Sequence, residues 1–264
     1  MSQSKGTAVI TGASSGIGAV YADRLAAQGY DLVLIARSAD KLERVAEEIA
    51  SKSGRQVDIF PADLTDPLDV ARVELLLNKN SDVSLLVNNA GFGATGSLLD
   101  SNVDAMSAMI SLNVDALTRL TYAIVPKFVE RGAGTIINIA SVVAIMPEQL
   151  NGVYGATKAY VLALSQSLHK ELEGTGVHVQ VVLPGATRTD FWAVSGMPVE
   201  HLPDEIVMTS EDLVDAALIG LRRGEFATIP SLQDEQLFVS YEAARQSMFG
   251  KLSTSSPAPR YRAA

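Results

Sequence analysis

The stretch Thr7-Ala8-Val9-Ile10-Thr11-Gly12-Ala13-Ser14-Ser15-Gly16-Ile17-Gly18 decides the fold. An uncharged run enters a turn with three glycines and leaves it as a helical pattern. Gly12 is free to take the backbone angles of a tight strand-to-helix turn, Gly16 lets the backbone approach a pyrophosphate, and Gly18 lets the helix close on the sheet. The helix start then turns free N–H groups and the positive dipole end toward any anion. Three glycines alone mark many ordinary turns; a strand before them and a helix after them favour phosphate binding.

Outward from this unit, short apolar runs recur at Asp31–Ala36, Val57–Pro61, Val83–Asn88, Thr135–Ala140, Val177–Leu183 and Phe226–Ile229. They are nearly continuously apolar, as strands buried on both faces are. Helical spacings such as Leu42, Val45, Ala46 and Ile49 separate them. This alternation predicts an α/β protein, a single Rossmann-like domain with a doubly wound parallel sheet of about seven strands and helices on both faces. The domain is expected over residues 1–250, with the irregular stretch 190–208 as a substrate lid after the sixth strand and 251–264 as a flexible tail, rich in Ser, Pro, Ala and Arg from Ser253.

Of the 264 residues, 47% are hydrophobic and 19% charged, enough to build a core. The net charge of −9 speaks against a nucleic-acid partner, which wants a basic face. The absence of cysteine excludes disulfides and thiolate chemistry, and His169, His178 and His201 lack metal-ligand spacing, so no metal is expected. The start lacks the apolar core of a signal peptide, and no run reaches the roughly 18 apolar residues that span a bilayer. The expectation is a cytoplasmic protein without a membrane partner.

The second strand ends Ala36-Arg37-Ser38. Sites for NAD place an acid near this point to bind the ribose 2′-hydroxyl. Arg37 instead offers a fork that suits a 2′-phosphate, so NADP(H) is the expected cofactor. Tyr154 and Lys158 stand one turn apart on a helix and share a face. A free phenol has a pKa near 10 and is a poor acid at neutral pH; an adjacent ammonium is expected to lower it. Tyr-x-x-x-Lys is common by chance, and it gains weight only in combination. Ser141 follows the buried strand ending Ile139-Ala140, at the sheet edge where ligands bind in open α/β folds, and is placed to polarise a carbonyl beside Tyr154. Asn113 lies mid-helix, an unfavourable place for Asn, either holding a water relay to Lys158 or satisfying the core.

With these residues in place, the chain resembles the short-chain dehydrogenase/reductase family over residues 5–230. The likeness rests on Thr11–Gly18, Asp63, Asn88-Asn89-Ala90-Gly91, Asn113, Ser141, Tyr154 with Lys158, and Pro184-Gly185. It implies catalysis by Asn113, Ser141, Tyr154 and Lys158. It also implies a cofactor site of Gly12, Ser14, Ser15, Gly16, Ile17, Gly18, Arg37, Asp63, Leu64, Asn89, Ala90, Gly91, Tyr154, Lys158, Pro184, Gly185, Thr187 and Thr189. In it Asp63 and the Leu64 backbone bind adenine, Asn88–Gly91 shape the ribose side, and Thr189 bonds the nicotinamide carboxamide. Thr187 stands where the family is usually aliphatic, which blurs that last contact. The resemblance further implies reversible carbonyl reduction and alcohol oxidation on a small molecule, and a homotetramer or homodimer built on helices 102–131 and 151–173.

Val143, Ile145, Met146, Leu150, Phe191, Trp192 and Met197 are candidate walls for a moderately apolar substrate. Two alternatives stay open: a 3-oxoacyl-thioester reductase, for which Arg119, Lys127 and Arg131 are the nearby cations, and a non-catalytic NADP-sensing module.

Overall fold

The computed structural model describes residues 4–262. Along the chain run β1 (Thr7–Thr11), α1 (Gly16–Ala27), β2 (Asp31–Ala36), α2 (Ala39–Ser53), β3 (Val57–Pro61), α3 (Pro67–Lys79) and β4 (Val83–Asn88). They are followed by α4 (Val103–Ile110), α5 (Leu117–Arg131), β5 (Gly134–Ile139), α6 (Gly152–Glu171), β6 (Val177–Val182), α7 (Phe191–Val194), α8 (Ser210–Arg222) and β7 (Ala227–Thr228). The strands form one seven-stranded sheet in the order β3-β2-β1-β4-β5-β6-β7, and every pair is parallel. The order reverses between β1 and β4, which opens the crevice where ligands bind in such sheets.

Side-chain alternation explains why both faces are covered. Ala8 and Ile10 of β1, with Leu32 and Leu34 of β2, pack under Tyr21 and Leu25 of α1, Leu42 of α2 and Leu213 of α8. Val9, Val33 and Ile35 point the other way, against Val73 of α3, Leu120 and Ile124 of α5 and Leu168 of α6. Successive strand residues face opposite layers, so a strand clad on both sides must be apolar throughout.

Four strands carry the expected bounds. β5 is displaced one residue toward the N-terminus relative to Thr135–Ala140, β6 stops at Val182, and β7 holds only Ala227 and Thr228. Strand ends are set by ladder hydrogen bonds, and composition does not mark them. The helix expected over 102–131 is not uniform: Ser111–Ala116 form a π-helical turn between α4 and α5. The helix expected over 151–173 is α6, capped by Asn151.

The 190–208 segment leaves the sheet after β6 and returns through a closed neck. Thr187 bridges Met208 in parallel register, Met208 N–H donates to the Ala186 carbonyl at 2.9 Å, and Arg188 N–H donates to Met208 at 2.9 Å. Backbone contacts divide the chain into two units, one up to Pro230 and one from Ser231. The second unit holds α9 (Glu235–Gln246) and a short turn at Pro259–Tyr261, and none of its described residues is buried. The expected boundary at 250 rests on the lack of a linker-like stretch before Ser253. Among the described residues no helix is long and apolar enough to cross a membrane.

Candidate active site

The loops after β1 and β4 flank the crevice and are sewn to each other. Thr11 Oγ1 accepts from the N–H groups of Asn89 and Ala90, both at 3.0 Å, and lies 3.3 Å from the Val87 carbonyl to which it donates. Asn89 Nδ2 donates to the carbonyls of Thr11 at 2.9 Å and Gly12 at 3.2 Å. Asn89 and Ala90 therefore brace the glycine turn. Gly12 has φ +67°, and a Cβ there would stand 2.8 Å from Asn89 Nδ2. A Cβ on Gly18 would meet the Gly12 carbonyl oxygen at 2.3 Å, so helix and turn close only around glycine.

This turn fits a phosphate. Ser15, the N-cap of α1, makes no side-chain capping bond, and the first turn of α1 carries no acid, whereas α2, α3, α4 and α8 each carry one or two. The positive end of α1 is left uncompensated. Ser14, Gly16 and Ile17 are half-buried beside it. Across the cleft, the Thr189 methyl would lie 3.1 Å from a Cβ on Gly16. Arg37 is exposed at the end of β2 and is held by no partner among the described residues. Asp63 Oδ1 accepts from Thr65 N at 3.0 Å and Thr65 Oγ1 at 2.7 Å, which fixes the carboxylate after β3 with buried Leu64 beside it.

The chemistry-bearing side chains meet beyond β5. Asn151 starts α6: its Oδ1 accepts from Val153 N at 2.9 Å and Tyr154 N at 3.3 Å. Its Nδ2 donates to Gly96 O at 2.7 Å and Ser101 Oγ at 3.0 Å. The cap thus fixes where Tyr154 begins its helix and ties that point to the loop after β4. Lys158, one turn on, is buried and donates from Nζ to the Ile139 carbonyl at 2.9 Å, at the end of the strand that leads to Ser141. Its Nζ lies 5.9 Å from the Tyr154 ring centroid. Ser141 is buried; its Oγ donates to Pro184 O at 3.4 Å and accepts from Val143 N at 3.4 Å.

Asn113 ties the loop after β4 to α6. Its Nδ2 donates to Phe92 O at 2.9 Å and Thr157 Oγ1 at 3.1 Å, and its Oδ1 accepts from Phe92 N at 3.2 Å. The π turn that carries it re-aims the side chain, a frequent use of such turns near functional sites. Gly91 stands between: a Cβ there would lie 3.0 Å from Asn113 Oδ1 and 3.6 Å from Lys158 Nζ. Asn113, Gly91 and Lys158 thus share one corner.

Burial dominates the electrostatics. It pushes the Tyr154 phenol up to about 12, against the opposing hydrogen bond from Ser141, and it lowers the Lys158 amine to about 8. The expectation that the adjacent ammonium lowers the phenol is not met: burial raises the phenol and lowers the amine, because it disfavours the charged form of each. At neutral pH the phenol therefore keeps its proton, and the amine lies close to its titration.

Those walls are Met109 and Val143 with Phe92, Ala94, Met106, Leu150, Val153 and Phe191, all packed around Tyr154. Ile145 belongs instead to the cluster of Leu117, Val161 and Leu183, and Met146 is exposed. Trp192 is buried and donates from Nε1 to Thr187 O at 2.8 Å. The Thr187 hydroxyl turns to Gly185 O at 3.1 Å, behind buried Pro184. Half-buried Met197 returns its N–H to Trp192 O at 3.1 Å. Thr11, Gly93, Asn151 and Thr157 are positioning residues that the sequence reading passed over. Asn151 before a helical run was a legible cap; the others carry no local signal.

The short chain dehydrogenase family model matches residues 6–197. The chain belongs to the short-chain dehydrogenase/reductase family. A short-chain dehydrogenase from Sphingobium yanoikuyae, solved in complex with NADPH, is 45% identical, with a TM-score of 0.94 over 97% of this chain and 100% of that one. A bulky-bulky ketone specific alcohol dehydrogenase from Comamonas testosteroni is 40% identical, with a TM-score of 0.90 over 98% and 99%. Human 17-beta-hydroxysteroid dehydrogenase type 3 is 37% identical over 69% of this chain and 59% of its own length. In this short-chain dehydrogenase, the residues that carry the family pattern line one edge of the sheet.

Proposed function

We propose that this protein reduces carbonyl compounds to alcohols, and runs the reverse oxidation, with NADP(H) as coenzyme. The observation that carries the reading is the convergence of Ser141, Tyr154 and Lys158 in an apolar chamber at the carboxyl edge of the sheet, beside an uncompensated helix end. The NADPH complex of the Sphingobium relative and the ketone specificity of the Comamonas one support it. Arg37, without a partner among the described residues at the end of β2 where an acid would favour NAD, supports the phosphorylated coenzyme.

The turn Gly12–Gly18 would hold the pyrophosphate, Arg37 the 2′-phosphate, Asp63 and Leu64 the adenine, and Thr189 with the Pro184–Thr187 strand end the nicotinamide side. When bound, NADPH supplies the hydride for the carbonyl carbon. The Ser141 and Tyr154 hydroxyls hold the carbonyl oxygen and share its developing charge. Tyr154, protonated at neutral pH, gives its proton to that oxygen. Lys158 then faces a phenolate and returns a proton, which its lowered pKa makes easy. Asn113 holds the loop at Phe92 and the helix at Thr157 while this happens.

The cations named for the acyl-carrier alternative are engaged within the chain, though among the described residues only Arg119 of the three is paired with a carboxylate. Arg119 is bidentate on Glu74 at 2.8 Å, Lys127 is spent on the carbonyls of Leu77 and Asn78, and Arg131 on Val83 O at 2.8 Å. A homo-oligomer is supported by exposed Ile110, Tyr122, Val129 and Tyr160 on α4, α5 and α6. The test is a screen of aldehydes, ketones and alcohols read at the NADPH absorbance band. Turnover of an apolar ketone is expected; no turnover of any carbonyl or alcohol with either coenzyme contradicts the reading.

A further inference from the structure

Phe191 projects from α7 onto the catalytic tyrosine. Its ring centroid lies 5.5 Å from that of Tyr154 at a 47° tilt. Gly93, in the loop after β4, lies against both rings. A Cβ built on Gly93 would stand 2.4 Å from Phe191 Cζ, 2.8 Å from Cε2 and 3.2 Å from Tyr154 Cδ2. Gly93 is absent from the glycines with positive φ, so no backbone strain demands glycine there. What demands it is the room taken by an aromatic ring.

The rest of the 190–208 segment is held without that ring. Trp192 Nε1 binds Thr187 O at 2.8 Å, Thr95 Oγ1 and N donate to Ser195 O at 2.8 and 3.2 Å, and the Thr187–Met208 bridge closes the neck. The ring therefore lies in a segment framed by other contacts, packed against the tyrosine that the proposed reaction uses.

Resting on the carbonyl-reductase reading, we propose that Phe191, seated on Gly93, is the size-determining wall of the substrate chamber, and that the fit between the two residues sets how large a ketone reaches Tyr154. A ring held over the tyrosine limits the substituent next to the reacting carbonyl. An added methyl at position 93 drives the ring from its seat, whereas trimming residue 191 removes the two shortest contacts and leaves only the 3.2 Å approach to Tyr154 Cδ2.

Four proteins test this: wild type, Gly93→Ala, Phe191→Ala and the double variant. Each is assayed for kcat/KM with NADPH on a methyl ketone and on a diaryl ketone, and for the emission of Trp192. That residue is the single tryptophan of the chain, and its ring stands edge-on to Phe191 at a centroid distance of 5.5 Å. Phe191→Ala is expected to raise the diaryl-to-methyl ratio of kcat/KM about tenfold, the scale on which hydrophobic pockets discriminate. Gly93→Ala in the wild-type background is expected to lower kcat/KM about tenfold and to shift the Trp192 emission, since displacements of this size near reacting groups are costly. In the Phe191→Ala background the same alanine should cost far less and leave the emission in place, since only the 3.2 Å approach to Tyr154 Cδ2 remains. Equal effects of Gly93→Ala in both backgrounds, or an unchanged size ratio in Phe191→Ala, would overturn the proposal. If wild type reduces no ketone, the reaction reading fails and the size wall with it, while the emission cycle still decides whether the two side chains compete for one space.

Discussion

Replacing Lys158 by methionine removes a buried cation without changing the length of the side chain much. The amine is buried against Ile139, Gly91 and Tyr154, and its pKa falls from 10.5 to about 8 because water is withdrawn from the charged form. The folded state thus binds its proton less tightly than the unfolded chain does. A depressed folded pKa contributes stability that is present above the unfolded value and lost as pH falls through the folded one. Between pH 7 and pH 10 the wild type should therefore gain stability, and at 1.36 kcal/mol per unit the full shift amounts to about 3 kcal/mol. Methionine also abandons the hydrogen bond to the Ile139 carbonyl, at a cost of about 1–3 kcal/mol, but that cost does not vary with pH. Urea unfolding of both proteins at pH 7, 8, 9 and 10 separates the two. The wild-type midpoint should climb relative to that of Lys158→Met across the interval, at equal m-values. Parallel profiles would refute the claim that burial holds this lysine near its titration point, and with it the account of how the phenol is reprotonated.

Other outcomes follow from the same geometry. Arg37→Asp should weaken NADPH binding by at least about tenfold and improve NADH relative to it, measured by coenzyme titration, since the change trades a phosphate fork for a repelling carboxylate. Asn151→Ala should cost about 1 kcal/mol or more in thermal or urea unfolding, because the cap serves Val153, Tyr154, Gly96 and Ser101 together, and it should lower kcat more than it raises KM. Wild-type enzyme should elute as a dimer or tetramer by light scattering, and charged substitutions at Tyr122 and Val129 should shift it toward monomer.

Much of this molecule is legible in its residues because the signals are local. A strand clad on both faces has to be apolar throughout, so the existence of β1, β2 and β4 is legible in their residues, and the edge strand β3 keeps enough of the same run despite exposed Asp58. The glycine turn is legible because the Gly12 backbone and the Asn89 side-chain amide leave no room for a Cβ. Ser141, Tyr154 and Lys158 are legible by their order at strand end and helix face. What escapes is whatever depends on distant partners. The π turn at Ser111–Ala116 exists to feed Asn113 into Phe92 and Thr157, contacts that no window around residue 113 contains. Gly93 is glycine because of a ring from residue 191, far along the chain. The direction of the Tyr154 shift depends on how many apolar walls close around it, and motif spacing does not report that. The acceptors that hold Arg119, Lys127 and Arg131, on α3 and at the start of β4, are likewise invisible from the helix that carries the three cations.

The proton carried by Tyr154 is the centre of the account, and Tyr154→Phe tests it with the least ambiguity. Phenylalanine keeps the ring against Phe191 and Val143 and deletes only the hydroxyl. Single-turnover reduction of a ketone by NADPH should slow by at least about a thousandfold, while NADPH titration gives an affinity near that of wild type. Turnover within a few-fold of wild type would contradict the assignment.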